Sequence, residues 1–137
     1  MIHVSAFSTV KNLWTFFWIS DIDPSINSQD PNDLLVGLDK ITPKDGGDTP
    51  EMAISGLRQA LRDALPNSVA FLISDAEAKD YNLENEVAAM LSSKQTKVYF
   101  LIEESCQTFT QPGCKVYQNL ARASSGQMLN VEKNKMR

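Results

Sequence analysis

Histidine and cysteine are scarce in this sequence, and the common motifs of catalytic and nucleotide-binding sites are missing from it. The chain has one histidine, His3, and two cysteines, so neither a Ser/His/Asp set nor a zinc-binding Cys/His pattern can be assembled convincingly. It contains neither a G-x-G-x-x-G run nor a G-x-x-x-x-G-K-[ST] loop. These absences argue against a triad hydrolase, a zinc protein and the common nucleotide-binding folds.

Long apolar runs and excess positive charge are also absent. No run approaches the roughly 20 apolar residues that a membrane-spanning helix needs. The net charge of −4 and the pI near 4.9 argue against nucleic acid or an anionic membrane as the main partner. Lys11 followed by apolar residues 13–19 allows an alternative interpretation as a signal peptide, but the aromatic core and the lack of a small-residue cleavage site fit it poorly.

Length and composition predict one folded domain over residues 1–137. With 42% hydrophobic and 22% charged residues, the chain resembles an ordinary globular protein that can bury a single core. Apolar residues recur at period 2 or in short buried runs in some segments and at helical spacing in others. This patterning predicts strands at 2–8, 13–20, 69–74, 98–102 and 127–131, a polar loop at 21–29, and helices at 31–41, about 50–65, about 82–93 and around 116–121.

Strands that alternate with helices indicate right-handed crossovers and a parallel sheet. The predicted fold class is therefore α/β, with an open and mostly parallel sheet. The first two strands are expected to form an antiparallel hairpin at one edge.

Two motifs are expected to meet at the carboxyl ends of the strands, where open α/β sheets bind ligands. The first is the glycine turn Gly46-Gly47, followed by Thr49 and a helix that Thr49 could cap. The second is Asp75, which follows a buried strand directly and could equally cap a loop. A hydroxyl and a carboxylate are hard oxygen ligands of the kind that Mg²⁺ prefers.

These motifs carry a resemblance to a known family. The matching segments are Gly46-Gly47-Asp48-Thr49-Pro50-Glu51-Met52, Phe71-Leu72-Ile73-Ser74-Asp75-Ala76 with Lys79-Asp80-Tyr81, Lys97-Val98-Tyr99-Phe100-Leu101, and Ser124-Ser125-Gly126-Gln127. Together they resemble a von Willebrand factor A domain, most closely those of hemicentin-type extracellular matrix proteins. The resemblance extends over about residues 2–132 and implies a three-layer, Rossmann-like open sheet with an antiparallel edge strand.

The resemblance also implies a function. Domains of this family bind Mg²⁺ at a metal-ion-dependent adhesion site, and a partner protein completes the coordination with a carboxylate. Thr49 and Asp75 match two of the metal-binding positions, and Asp48 and Glu51 would add charge at the rim. For Glu51, stabilisation of the positive end of the following helix is the simpler role. The implied activity is adhesion to extracellular matrix or cell-surface proteins rather than catalysis.

One family motif is missing. The Asp-x-Ser-x-Ser sequence that supplies the first metal-binding loop does not occur in the 137 residues. We therefore expect an N-terminally truncated domain that lacks the first central strand and its helix. The strands at 2–8 and 69–74 would then either pair directly or expose unpaired edges. The expected consequences are weak or absent metal binding and marginal stability, with a melting temperature not well above 60 °C.

Cys106 and Cys114 lie close together in the sequence, and their spacing alone is equally compatible with a disulfide and with two free thiols. The resemblance implies an extracellular location, which favours a disulfide between them or pairing with cysteines elsewhere.

Two other functions are compatible with the same residues. One is a receiver-like or nucleotide-binding α/β domain in which Asp75 accepts a phosphoryl group. The other is a degenerate structural module of the same family that binds no metal.

Overall fold

Six strands form one open sheet in the order β3-β2-β1-β4-β5-β6. The structure is a computed structural model that describes residues 2–8, 13–19, 23–28, 30–39, 52–103, 106 and 110–132. The strands are β1 (Ile2–Ser8), β2 (Leu13–Ile19), β3 (Asp23–Ser28), β4 (Ser68–Ser74), β5 (Lys97–Glu103) and β6 (Gln127–Val131). The helices are α1 (Pro31–Asp39), α2 (Ala53–Asp63), α3 (Glu84–Lys94) and α4 (Pro112–Ala123), and a short 3-10 turn, Tyr81–Leu83, precedes α3.

The sheet has a parallel half and an antiparallel half. Strands β4, β5 and β6 run parallel, and α3 and α4 make the crossovers between them. Strand β1 runs antiparallel to both of its neighbours, β2 and β4, and β2 runs antiparallel to β3. The α/β class and the open sheet predicted from the sequence are thereby confirmed.

Strands β1 and β2 form the predicted antiparallel hairpin, but the hairpin lies inside the sheet, between β3 and β4, rather than at its edge. The seven residues of β1 pair with β4 from Ile2↔Ser74 to Ser8↔Ser68, and the other side of β1 pairs with β2. Direct pairing, one of the two alternatives derived from the sequence, is therefore the observed arrangement. It satisfies backbone groups on β4 that would otherwise form an exposed edge.

The segment predicted as the polar loop 21–29 contains a strand, so that prediction was wrong. Strand β3 pairs only with β2 and forms an edge of the described sheet, and its register shifts between Phe16 and Trp18 of β2. An edge strand tolerates Pro24 because its outward-facing side needs no backbone donor. The polar composition suggested a loop, but an edge strand needs little apolar surface.

Helix α1 begins where the sequence indicates and exposes more apolar surface than predicted. The Oδ1 atom of Asp30 accepts the backbone N–H of Asn32 at 2.9 Å, which confirms Asp30 as the N-cap ahead of Pro31. Leu35 is 58% exposed, and Val36 is 50% exposed, although apolar residues at helical spacing predict a helix with a buried face. Among the described elements, α1 packs mainly against β2 and β3 at one edge of the sheet.

The core lies between one face of the sheet and helices α2, α3 and α4. Alternate residues of β4 and β5 point into it, and the helices add their apolar stripes, as their spacing predicted. Tyr117 of α4 packs against Phe100 of β5 with ring centroids 5.3 Å apart. Among the described side chains, the largest that are fully buried are Ile54, Leu57, Leu61, Leu72, Val87, Leu91, Phe100, Ile102, Tyr117 and Leu120.

The turn from α4 into β6 brings two backbones into close contact. A Cβ atom on Gly126 would lie 1.8 Å from the carbonyl oxygen of Val98, so only glycine fits there. On the same strand, the N–H of Val98 donates to Oγ of Ser124 at 3.1 Å. The Ser-Ser-Gly segment therefore fixes where β6 joins β5. Among the described helices, none is long and apolar enough to cross a membrane.

Candidate functional site

The candidate site lies at the edge of the sheet where the parallel strands end. Asp75 follows the last residue of β4 and is exposed. Helix α2 runs back along the sheet before β4, so its first residue, Ala53, lies at the same edge. Thr49 precedes Ala53 by four residues in the sequence, and it lies outside the described residues together with Asp48 and Glu51.

The backbone around Asp75 is shaped by the serine before it. Ser74 is buried, and its Oγ donates to the carbonyl of Ala76 at 3.0 Å and accepts the N–H of Ala76 at 3.2 Å. Hydroxyl side chains that bond the backbone two residues later stabilise tight turns. The turn leaves Asp75 exposed to solvent immediately after β4.

A buried carboxylate joins this loop to the start of α2. Asp80 is 5% exposed, its Oδ1 accepts the N–H of Ile54 at 3.1 Å, and its Oδ2 accepts the N–H of Ser55 at 2.5 Å. These N–H groups belong to the first turn of α2, where no intrahelical partner exists. We refer to this pair of bonds as the Asp80 clamp.

The clamp also corrects the predicted cap of α2. The sequence placed Thr49 as the cap of a helix beginning near residue 50, whereas α2 begins at Ala53 and its N-cap is Met52. Met52 makes no side-chain capping bond. Asp80, more than twenty residues later in the chain, supplies the acceptors instead, and local sequence rules do not detect a cap from such a distance.

The other side of the Asp75 loop is tied to α4. The Tyr117 hydroxyl donates to the carbonyl of Ala76 at 3.0 Å, and the N–H of Ala78 donates to the carbonyl of Gly113 at 3.1 Å. A Cβ on Gly113 would lie 2.5 Å from the carbonyl oxygen of Ala78, so the two segments touch through backbone. The loop from Asp75 to Asp80 is thus held between α2 and α4.

A disulfide joins Cys106 to Cys114 near the same edge, and both residues are buried. Of the alternatives open at the sequence level, the disulfide is the one that the structure contains. Cys114 lies in the first turn of α4, next to Gly113. The bond therefore anchors the chain after β5 to the helix end that supports the Asp75 loop.

The oxygen ligand atoms expected at this edge are of the type that Mg²⁺ prefers, but they are few. Asp75 offers carboxylate oxygens at this edge, and Thr49, the other predicted ligand, lies outside the described residues. Across the described ranges, no group of three or more His, Cys, Asp or Glu residues could hold a metal ion. A cation at this edge would therefore need oxygens from water or from a bound partner, which is how Mg²⁺ commonly completes its six positions.

Sequence reasoning identified Asp75 but assigned no role to two residues that shape the site. In the sequence, Asp80 stands out only as part of the Lys79-Asp80-Tyr81 segment, and Tyr117 falls within the helix predicted around 116–121. A buried carboxylate needs hydrogen-bond donors, so burial of Asp80 is the property that indicates its role. A single sequence does not show whether a loop aspartate is buried.

Comparison with known proteins assigns the family. The profile of the family described as von Willebrand factor A domain matches residues 13–133, so β1 lies outside the matched segment. Human hemicentin-1 is 35% identical over 130 residues, which is 92% of this chain and 2% of that protein. Mouse hemicentin-2 is 34% identical over 116 residues, which is 85% of this chain and 2% of that protein.

The aligned region is thus a small part of these large relatives: the chain spans about 2% of their length. No solved structure matches the chain significantly. The family profile covers most of the chain, and the relatives exceed 30% identity over nearly all of it. The chain therefore belongs to the von Willebrand factor A domain family.

Proposed function

We propose that residues 1–137 form a single adhesion-type domain that acts outside the cell by binding a protein partner, and that it is not an enzyme. A Mg²⁺ ion held by Thr49 and Asp75 would accept a carboxylate from the partner. Membership of the von Willebrand factor A family and similarity to hemicentins support this proposal. The expected partners are extracellular matrix or cell-surface proteins.

The observation that carries the proposal is the Asp80 clamp. It ties the loop that bears Asp75 to the start of α2, and the glycine turn with Thr49 comes just before that helix in the sequence. Asp75 belongs to the loop that the clamp holds at the carboxyl edge of the sheet, and Thr49 comes four residues before Ala53 in the sequence. Such edges are where open α/β sheets bind ligands.

Exposed apolar side chains beside the clamp support a role in protein recognition. Met52 is 42% exposed and Tyr81 is 45% exposed, and each adjoins a segment that the clamp joins. Tyrosine and methionine are enriched at protein interfaces. Asp48 and Glu51 would add negative charge near the ion.

The proposal is tested by titrating the chain with Mg²⁺ and Mn²⁺ by calorimetry. With two protein ligands, binding is expected to be weak, with a Kd of about 1 mM. Thr49→Ala and Asp75→Asn should abolish it. Asp63→Asn is the matched control, because Asp63 is an exposed carboxylate at the opposite end of α2. Unchanged binding in both site variants would contradict the proposal.

A structural module without metal is the second candidate. The absence of Asp-x-Ser-x-Ser from the sequence favours it, as does the lack of an acidic cluster in the part of the chain that the structure describes. The two candidates separate when an Asp-x-Ser-x-Ser strand is added in front of the chain. If this version binds Mg²⁺ and Thr49→Ala removes the binding, the adhesion site is supported. If it also fails to bind, the structural role is supported.

A further inference from the structure

We infer that Asp80 is a positioning residue for the proposed divalent site: it binds no metal itself but fixes the Asp75 loop against the helix that follows Thr49. This inference rests on the proposed function for its metal readout. It has a second readout, the exchange of backbone amides, that does not depend on metal.

The clamp occupies both oxygens of the Asp80 carboxylate. One accepts from Ile54 and the other from Ser55, and the side chain is 5% exposed. A carboxylate at the start of a helix also interacts favourably with the helix dipole. Because the N-cap Met52 provides no side-chain acceptor, α2 has no local substitute for these bonds.

The clamp joins the Asp75 loop to α2 through two hydrogen bonds. On its other side, the loop is bonded to α4 through Ala76 and Ala78, and these bonds do not involve α2. Without Asp80, the loop would keep these bonds to α4 but lose the two hydrogen bonds that fix its position against the first turn of α2. Mg²⁺ requires nearly ideal octahedral geometry, so a small shift between two ligand-bearing segments weakens binding.

The experiment compares the full chain with its Asp80→Asn variant, using Mn²⁺ as the probe. Asparagine keeps the size of the side chain and one acceptor, but its amide group would face a backbone N–H. We expect Asp80→Asn to remain folded and to raise the Mn²⁺ Kd at least tenfold. The amides of Ile54 and Ser55 should exchange with solvent at least tenfold faster.

Ser68→Ala is the matched control for a purely structural effect. Ser68 is also a buried polar residue, and its hydroxyl donates to the carbonyl of Leu65 at the opposite edge of the sheet. This variant should lower the melting temperature and leave the Mn²⁺ Kd within twofold of the parent value. If Asp80→Asn also leaves the Kd within twofold, the positioning role is overturned while the proposed metal site stands.

Native-state hydrogen exchange on the unmutated chain decides the remaining cases. If Asp80→Asn does not fold, or if the parent chain binds no Mn²⁺, the amides of Ile54, Ser55, Ala76 and Ala78 are compared across a denaturant series. If the opening free energies of all four amides show the same dependence on denaturant concentration, the helix start and the loop open together, which supports their coupling. Independent opening of the helix start and the loop overturns it. Absence of Mn²⁺ binding with coupled opening would refute the proposed function alone.

Discussion

Breaking the Cys106–Cys114 disulfide should lower the stability of the domain measurably without unfolding it at room temperature. The two cysteines are separated by 8 residues. In the chain-entropy model, a loop of this size restricts the unfolded state by about 2.5 kcal/mol at 25 °C. Reduction leaves both sulfur atoms in place, so it perturbs packing far less than substitution of two buried residues.

The expected change in melting temperature follows from the size of the chain. An unfolding entropy of about 2.1 cal/mol/K per residue gives about 0.29 kcal/mol/K for 137 residues. A loss of about 2.5 kcal/mol then corresponds to a decrease of about 9 °C.

The assay is thermal unfolding followed by circular dichroism, with and without an excess of a dithiol reductant. The variant Cys106→Ala/Cys114→Ala serves as a control, because its melting temperature should not respond to the reductant. Intact mass with and without alkylation confirms the redox state of each sample. A decrease of less than about 2 °C on full reduction would show that closure of this loop contributes little to stability.

Three further substitutions test particular contacts. Gly126→Ala should lower the free energy of unfolding by about 3 kcal/mol or more, because the new Cβ would lie 1.8 Å from the Val98 carbonyl oxygen. A denaturant titration measures this change, and a loss below about 0.5 kcal/mol would contradict the expected clash. Thr96→Val should leave the free energy of unfolding unchanged or raise it by up to about 1 kcal/mol, because the buried Thr96 hydroxyl has no hydrogen-bond partner within the described ranges. In the same titration, a decrease above about 1 kcal/mol would show that the hydroxyl does have a partner. Tyr117→Phe should cost about 1 kcal/mol and speed amide exchange at Ala78, and unchanged exchange would show that the Tyr117 bond does not hold the Asp75 loop.

The parallel half of the fold could be predicted from local patterns. Strands β4 and β5 are short apolar runs, and the helices before and after this pair, α2 and α4, have a clear apolar period. An alternation of strands and helices permits few topologies. Asp30 and Pro31 marked the start of α1 because capping is decided by adjacent residues.

The antiparallel half was harder to predict because its arrangement depends on contacts between distant segments. Strand β1 pairs with β2 on one side and β4 on the other, and the sequence of β1 alone does not determine which strands it pairs with. Strand β3 is polar and contains a proline, and only its edge position makes those residues compatible with a strand.

The candidate site was predictable only in part for a similar reason. Asp75 could be placed because a residue after a parallel strand must lie at the carboxyl edge. Asp80 could not, since its role depends on N–H groups 25 and 26 residues earlier in the chain. The roles of Thr49 and Asp75 as metal ligands remain predictions.

The most direct test of the central claim is a nuclear magnetic resonance titration of the full chain with Mn²⁺, which broadens the signals of nearby amides. The amides of Thr49 and Asp75 are expected to broaden first, and Asp75→Asn should remove the effect. Amides at the opposite edge, such as that of Ser68, should stay sharp. Broadening that begins elsewhere, or that survives Asp75→Asn, would contradict the claim that a divalent ion binds between these two residues.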